Sequence, residues 1–390
     1  MITLKNDQIQ EALNHKAVVE NGINDILKMT LNAVVYAERQ ASLQEQKDPK
    51  NKANVYRDTK VNGYGRQLSL TIPRDRLGMF KPLLMWVLKA ENEEMNQLCY
   101  ELYTRGFTPQ QVKDVVEKIY AKQYDEAAFS SIKQTFKGDL EAWRARSLDS
   151  RYPVVYLDTI HTKVRRDGKV EGETFYAVLA VKEDYRREVI ALYNSPTESA
   201  SGWEEVLKKI KKRGVQKIDL VVANGLTGLK DKVLAQYPKA SFQKCVTHLK
   251  HNILHRVRAK EKAAMAMDLK DIFDIGDNRY TKEDAYQRAN TIASKWGQKY
   301  PAINTILQQE NLRHYFTSLD FNFKVRPMIY TTNALERLNA AFRAALKIRN
   351  EMPTIDAVLL LLSAIAYKME TTTYSYPIHN FRCEITFLPK

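Results

Sequence analysis

Apolar positions recur at helical spacing through the first forty or so residues, with Ile9, Leu13, Val18, Ile23, Ile26, Leu27 and Leu31 on one stripe. This predicts an amphipathic helical start. The polar, Lys-rich stretch QEQKDPKNKAN reads as a linker. The period then drops to two in VNGYGRQLSLTIPR, where Leu68, Leu70 and Ile72 share a face. That predicts a strand pair turning at Asn62-Gly63. Helical spacing resumes from Pro82, and GFTPQQVKDVVEKIY carries a helix start: Thr108 as N-cap, Pro109 at the first helical position and Gln111 at N3. Another helix begins near Asp125 and runs through Phe129, Ile132 and Phe136. With Lys133, Lys137, Arg144 and Arg146 it suits a helix-turn-helix, although a plain helical hairpin has the same pattern.

From residue 151 the chain turns strand-rich. YPVVYLDTIHTKVRR, ETFYAVLAVKE and RREVIALYN predict a three-stranded antiparallel meander. A helix ending at Gly214 follows, then the strand KIDLVVAN, the helix GLTGLKDKVLAQYP and the strand ASFQKC. Three antiparallel strands followed by alternating helix and strand is the order of an RNase H-like fold. From Val246 to about Phe321 the pattern is almost wholly helical. The strand-like VRPMIYTT then leads into the long helix TTNALERLNAAFRAALKIR. The expected organisation is a helical region over 1–50, a DNA-binding region over 51–148, the first part of an α/β core over 149–250, an all-α insertion over 251–325, and C-terminal core helices over 326–390.

Composition narrows the class. Of 390 residues, 61 are Lys or Arg and 46 Asp or Glu, a net charge of +15. Such an excess attracts polyanions and favours nucleic acid over a merely basic surface. The apolar run AVLLLLSAIA is shorter than the roughly 18 residues a membrane span needs, so no membrane partner is expected. The start MITLKNDQIQEALNHK lacks the apolar centre of a signal peptide. Three separated cysteines, Cys99, Cys245 and Cys383, argue against a disulfide framework and fit a reducing cytoplasm.

The candidate chemistry sits at strand ends. Asp158 follows the apolar run Val154 to Leu157, and Asn224 follows Leu220 to Ala223 in the same way. Glu336 lies on the helix TTNALERLN. Acidic groups converging there would hold hard, oxygen-seeking cations for in-line phosphoryl transfer. Asp219 is five residues from Asn224, hence on the opposite sheet face, and Asp231 lies two helical turns downstream.

LDTIHTKVRRDGKV, VVANGLTGLKDKV, SFQKCVTHLKHNI, KWGQKYP and IYTTNALERLN resemble, in order and spacing, the signature blocks of Mutator-type bacterial insertion-sequence transposases. The resemblance covers roughly residues 56 to 370. It implies an RNase H-like core, an Asp-Asp-Glu site at Asp158, position 224 and Glu336, and two Mg²⁺ ions with Mn²⁺ as substitute. It further implies terminal inverted repeats and target DNA as partners, a homodimer, a copy-out, paste-in route, and a bacterial, nucleoid-associated setting. The departure is Asn224, where the family has Asp. Asparagine is nearly isosteric with aspartate but uncharged, so the chain is expected to bind DNA ends and cut them poorly or not at all. The alternatives are a degenerate or domesticated transposase acting as a DNA-binding regulator, or a generic RNase H-like nuclease.

Further residues fill out the expectation. Cys245-x-x-His248 is a recognised motif of the resembled family near the active site. A zinc reading with His251 and His255 is the weaker option, because a second Cys/His pair of suitable spacing is missing. Trp296 is either a core anchor or a stacking platform for an unpaired base. His161, Lys163 and Arg165, with Arg337 and Arg343 flanking Glu336, are candidates for phosphate contacts, as are Lys133 and Lys137 in the N-terminal region.

Overall fold

The computed structural model describes residues 16–46, 50–63, 66–120, 126–166, 169–349 and 351–382. The chain divides into two compact units, one comprising residues 1–103 and 107–137, the other 104–106 and 138–390.

In the first unit, helix α1 (Lys16–Gln46) packs on a hairpin of β1 (Ala53–Gly63) and β2 (Arg66–Asp75). Leu31, Leu68, Leu70 and Leu88 form their shared core, because the period-two face of β2 meets the helical stripe. The hairpin register runs out to Gly63 opposite Arg66. Asn62 and Gly63 are therefore paired strand residues, not the expected turn. Helices α2 (Leu83–Thr104), α3 (Pro109–Tyr120) and α4 (Glu126–Ala145) follow. The capping box forms as read: the Gln111 amide donates to Thr108 Oγ1 at 3.2 Å, and the Thr108 amide to Gln111 Oε1 at 2.9 Å. Residues 121–125, where a helix-turn-helix would bend, and the Lys133 side chain lie outside the described residues, as does Cys383. Lys137 is exposed.

The second unit is built on a five-stranded sheet of β3 (Arg151–Arg166), β4 (Lys169–Val181), β5 (Arg187–Ser195), β6 (Lys217–Ala223) and β7 (Ser241–Lys244), in the order β5-β4-β3-β6-β7. β3, β4 and β5 are antiparallel; β6 and β7 run parallel to β3. This is the RNase H-like arrangement that the order of elements predicts. The two parallel connections carry helices α5 (Ala200–Lys212) and α6 (Leu229–Gln236), as parallel crossovers require. Trp203, Val206, Leu207 and Ile210 of α5 close one sheet face over Val155, Leu157, Val178 and Val221. Gly214 follows α5 with φ +123°, and a Cβ there would lie 2.7 Å from the Leu148 carbonyl oxygen, so the predicted terminator admits only glycine without strain.

The helical insertion has its own core. Helices α7 (Val246–His255), α8 (Lys262–Ile272), α9 (Lys282–Gly297), α10 (Pro301–Ile306) and α11 (Gln309–Leu312) bury residues from Val246 to Leu319 together. The segment VRPMIYTT is not a strand. Its Arg326–Ile329 portion is a short helix, α12, held by the buried Arg326 guanidinium. That group donates to the carbonyls of Phe321, Asp277, Tyr280 and Leu319. A buried cation with four acceptors outweighs the β propensity of Val and Ile. Helices α13 (Asn333–Arg349) and α14 (Ile355–Thr371) return to the sheet, α13 against β3 and β4 and α14 against β5. The apolar run 357–366 is largely buried there within α14. Among the described residues no helix is long and apolar enough to cross a membrane.

Candidate functional site

The sheet creates the site by ending unevenly. β3 and β6 pair in parallel as far as Leu157 opposite Ala223, where β6 stops. β3 continues to Arg166 along β4. Asp158 is thus mid-strand rather than terminal, and it borders the gap that β6 leaves. Asn224 is the first residue past the end of β6.

Asp158 is 6% exposed. Its Oδ1 accepts the Thr159 amide at 2.9 Å, and its Oδ2 accepts Asn339 Nδ2 of α13 at 2.8 Å. Burial pushes this carboxyl up to about 6, against the pull of the Thr159 amide and of His248; Glu336 and Glu198 push it further up. Glu336, in the first turn of α13, is partly exposed and accepts Arg343 Nη2 at 3.1 Å. Asp158 is thus joined to position 224 through Thr159 and Glu198, and Glu336 is near enough to raise its carboxyl, with different partners on each.

Asn224 is held by a residue that sequence reasoning missed. Its Nδ2 donates to Glu198 Oε1 at 2.7 Å, while its Oδ1 accepts the Leu226 amide at 3.3 Å. The other Glu198 oxygen accepts Thr159 Oγ1 at 3.0 Å. Glu198 sits in the connection between β5 and α5, one residue before Ser199, the N-cap of α5. It thereby ties the chain beside Asp158 to the end of β6. No local pattern in the sequence marks it; Trp203 Nε1, at 3.4 Å from Oε1, helps to hold it.

Cys245 is the buried N-cap of α7, and its sulfur lies 3.4 Å from both the amide and the hydroxyl of Thr332. His248 faces it. The imidazole is pushed up to about 9 by the thiol and by the carboxylates of Asp158 and Glu336, and the thiol is held below its usual range by the imidazole and Thr332. His248 Nδ1 is buried without a hydrogen-bond partner, and the hydrogen bond between the imidazole and the Cys245 thiol is the largest cause of the imidazole's upward shift. The pair places a cation beside two carboxylates. His251 and His255 are exposed further along α7.

The expected DNA-contacting residues divide. His161, Lys163 and Arg165 are exposed along β3; His161 Nδ1 lies 3.1 Å from Thr174 Oγ1, and Arg165 pairs with Glu351 at 3.1 Å. Arg337 is exposed, and Arg343 is engaged with Glu336. Trp296 is 8% exposed, within the insertion core, and its Nε1 donates to Asp268 Oδ2 at 2.6 Å. It offers no free face to a base, which corrects the stacking reading in favour of the core anchor. Asp219, at the opposite end of β6, is taken by Arg151 and Lys217.

The residues do not fit a two-cation centre as they stand. Among those described, no three His, Cys, Asp or Glu side chains are grouped to hold a metal ion. Position 224 presents an amide donor to a carboxylate where cation binding calls for another acceptor.

The profile of the Mutator family of transposases matches residues 2–374. The chain is 30% identical over 349 residues to the transposase for insertion sequence element ISRM3 of Rhizobium meliloti (strain 1021), covering 88% of this chain and 86% of that protein. It is 31% identical over 350 residues to a probable ISRM3-like transposase of Sinorhizobium fredii, with 88% and 86% covered. With the transposase of IS256 in transposon Tn4001 of Staphylococcus aureus it shares 24% over 382 residues, 93% of each chain. A sheet of RNase H-like order and a family match over nearly its whole length make this chain a member of the Mutator family of insertion-sequence transposases.

Proposed function

We propose that this chain recognises the terminal inverted repeats of an insertion element and that the gap beyond β6, bordered by Asp158, Asn224 and Glu336, is where a phosphodiester would be cleaved and transferred. The reading extends to a homodimer on DNA and to a copy-out, paste-in route, both on the strength of family membership. In its present form the chain binds ends without cutting them efficiently. The observation that carries this is the Asn224 amide, which donates to Glu198 where the family's chemistry calls for a carboxylate. Mg²⁺, with Mn²⁺ as substitute, is the cofactor proposed for an aspartate-bearing form; the asparagine form lacks the donor set for it.

The test is Asn224→Asp assayed for nicking of end-bearing DNA in Mg²⁺ or Mn²⁺. Nicking by the variant, and little by the parent, is the expected result. A variant no more active than its parent removes position 224 from the catalytic assignment. Restored nicking also separates this reading from a domesticated DNA-binding regulator, in which the remaining machinery need not be intact.

A further inference from the structure

We propose that the corner formed by Lys230, Lys244 and Arg313 beside Gly225 is a seat for the phosphodiester backbone of a DNA strand that enters the sheet-edge site. The proposal rests on the reading of the chain as a DNA transposase, and it adds a binding surface that the acidic positions do not indicate, two of whose cations, Lys230 and Lys244, fall within the motif blocks.

The corner is built from three elements that the fold brings together. Lys244 ends β7 in register with Ala223, one residue before Asn224. Lys230 lies in the first turn of α6. Arg313 and Tyr315 lie on the 3₁₀ turn that follows α11, around His314, whose imidazole feels Lys230, Lys244 and Arg313 together. Buried Gln243 locks this turn to β7: its Nε2 donates to the carbonyls of Lys244 and Tyr315, and its Oε1 accepts the Ser318 amide. Thr317 Oγ1 adds a bond to the Phe242 carbonyl at 2.8 Å. The Lys244 ammonium is held 5.5 Å from the centre of the Tyr315 ring. Tyr315 Oη in turn abuts Gly225, since a Cβ at that glycine would lie 3.1 Å from it. Gly225 is exposed, so the backbone next to Asn224 is open to a ligand, with Lys244 across the Tyr315 ring from it.

The charge balance at this corner is one-sided. Lys230, Lys244 and Arg313 take part in no ion pair among the described residues, whereas the neighbouring Lys232 and Lys282 do. Lys244 is half-buried and held below its ordinary range by burial and by Lys230. His314, in the middle, is pushed down to about 4 by burial and by the surrounding cations Lys230, Lys244, Arg313 and Lys282. It is therefore neutral at physiological pH and offers a hydrogen bond rather than a fourth charge. Partly desolvated like charges without a counter-ion are unfavourable in the free protein. A polyanion supplies what is missing, and a DNA strand does so while lying against the exposed Gly225.

The experiment compares the full chain with Lys244→Gln, with Lys230→Gln/Lys244→Gln/Arg313→Gln, and with Lys208→Gln as a control. The probe is a fluorescent random-sequence duplex with a 3′ single-stranded tail, titrated by anisotropy across a KCl series. Each lost phosphate contact lowers the slope of log affinity against log salt by about 0.7 to 0.9. The expected fall is therefore about one unit for Lys244→Gln and about two to three for the triple variant, with none for the control. Melting of the DNA-free triple variant at or above the parent's temperature establishes that it is folded and relieved of repulsion. An unchanged slope in the folded triple variant, or an equal fall in the control, overturns the assignment. If the slope falls while Asn224→Asp fails to nick, the seat stands and the catalytic reading fails; the opposite pair of results sinks the seat alone.

Discussion

The helical insertion and the sheet edge of the same unit treat buried polar groups in opposite ways. In the insertion beyond α7 the prominent buried donors have partners: Arg326 has four carbonyls, Trp296 has Asp268, and Tyr280 donates to the Ile272 carbonyl at 2.8 Å. At the sheet edge the account is left open. Asp158 is buried with its carboxyl pushed up to about 6, and Asn339 Oδ1 and His248 Nδ1 are buried without hydrogen-bond partners. Unsatisfied buried polarity is costly and persists where function requires it. The core beyond α7 is thus satisfied from within, whereas the sheet edge holds buried polar atoms that no protein group satisfies.

The largest effect that would sharpen this contrast is Arg326→Met. It leaves four carbonyls around a buried apolar chain and should cost about 3 to 5 kcal/mol of stability, read by denaturant melts. If the loss is under about 1 kcal/mol, the insertion is not held in this way.

Asn224→Asp should come next. It replaces an amide donor by a carboxylate facing Glu198 at hydrogen-bonding distance, at a cost of about 2 to 3 kcal/mol in EDTA. Adding Glu198→Gln should recover most of that loss, because a glutamine amide can donate where the Glu198 carboxylate only accepts. Failure of the double variant to recover would mean that Glu198 does not govern position 224.

Asp158→Asn tests the open account through pH. The Asp158 carboxyl is raised from 3.8 to about 6, so in that window the folded state holds the proton that the unfolded chain has released. Its contribution to stability is full below about pH 4 and is lost as pH rises through about 6. The variant should therefore gain on its parent by about 2 to 3 kcal/mol between pH 4 and pH 7.5. A gap that does not change with pH would show that the burial of Asp158 is of no electrostatic consequence.

Smaller effects belong to the satisfied side. Trp296→Phe removes the bond to Asp268 from the insertion core and should cost about 1 to 2 kcal/mol, leaving DNA affinity unchanged; a selective loss of affinity would restore the base-stacking role. Arg343→Ala should change stability by no more than about 0.5 kcal/mol, since its pair with Glu336 is half in solvent.

Much of this was legible along the chain. β-Branched and aromatic runs placed β3 to β7, and the Thr108-Gln111 pair and Gly214 placed helix ends, because each signal depends on neighbours within a few residues. VRPMIYTT misled for the complementary reason: its local β propensity yields to carbonyls 5 to 49 residues away that solvate Arg326. Glu198 was invisible in the same way, being 26 residues from Asn224 and 39 from Thr159.

The sequence by itself determined the order of strands and helices, the placement of Asp158 and Asn224 after apolar runs, and the missing charge at 224. Periodicity and side-chain chemistry are written residue by residue. Only the tertiary structure decided that β6 stops beside a continuing β3, that Trp296 is sealed in a core, that Glu198 receives the Asn224 amide, and that Tyr315 sets Lys244 beside Gly225. The physical reason is that hydrogen-bond partners, burial and electrostatic fields act through space, and folding sets those distances with little regard to separation along the chain.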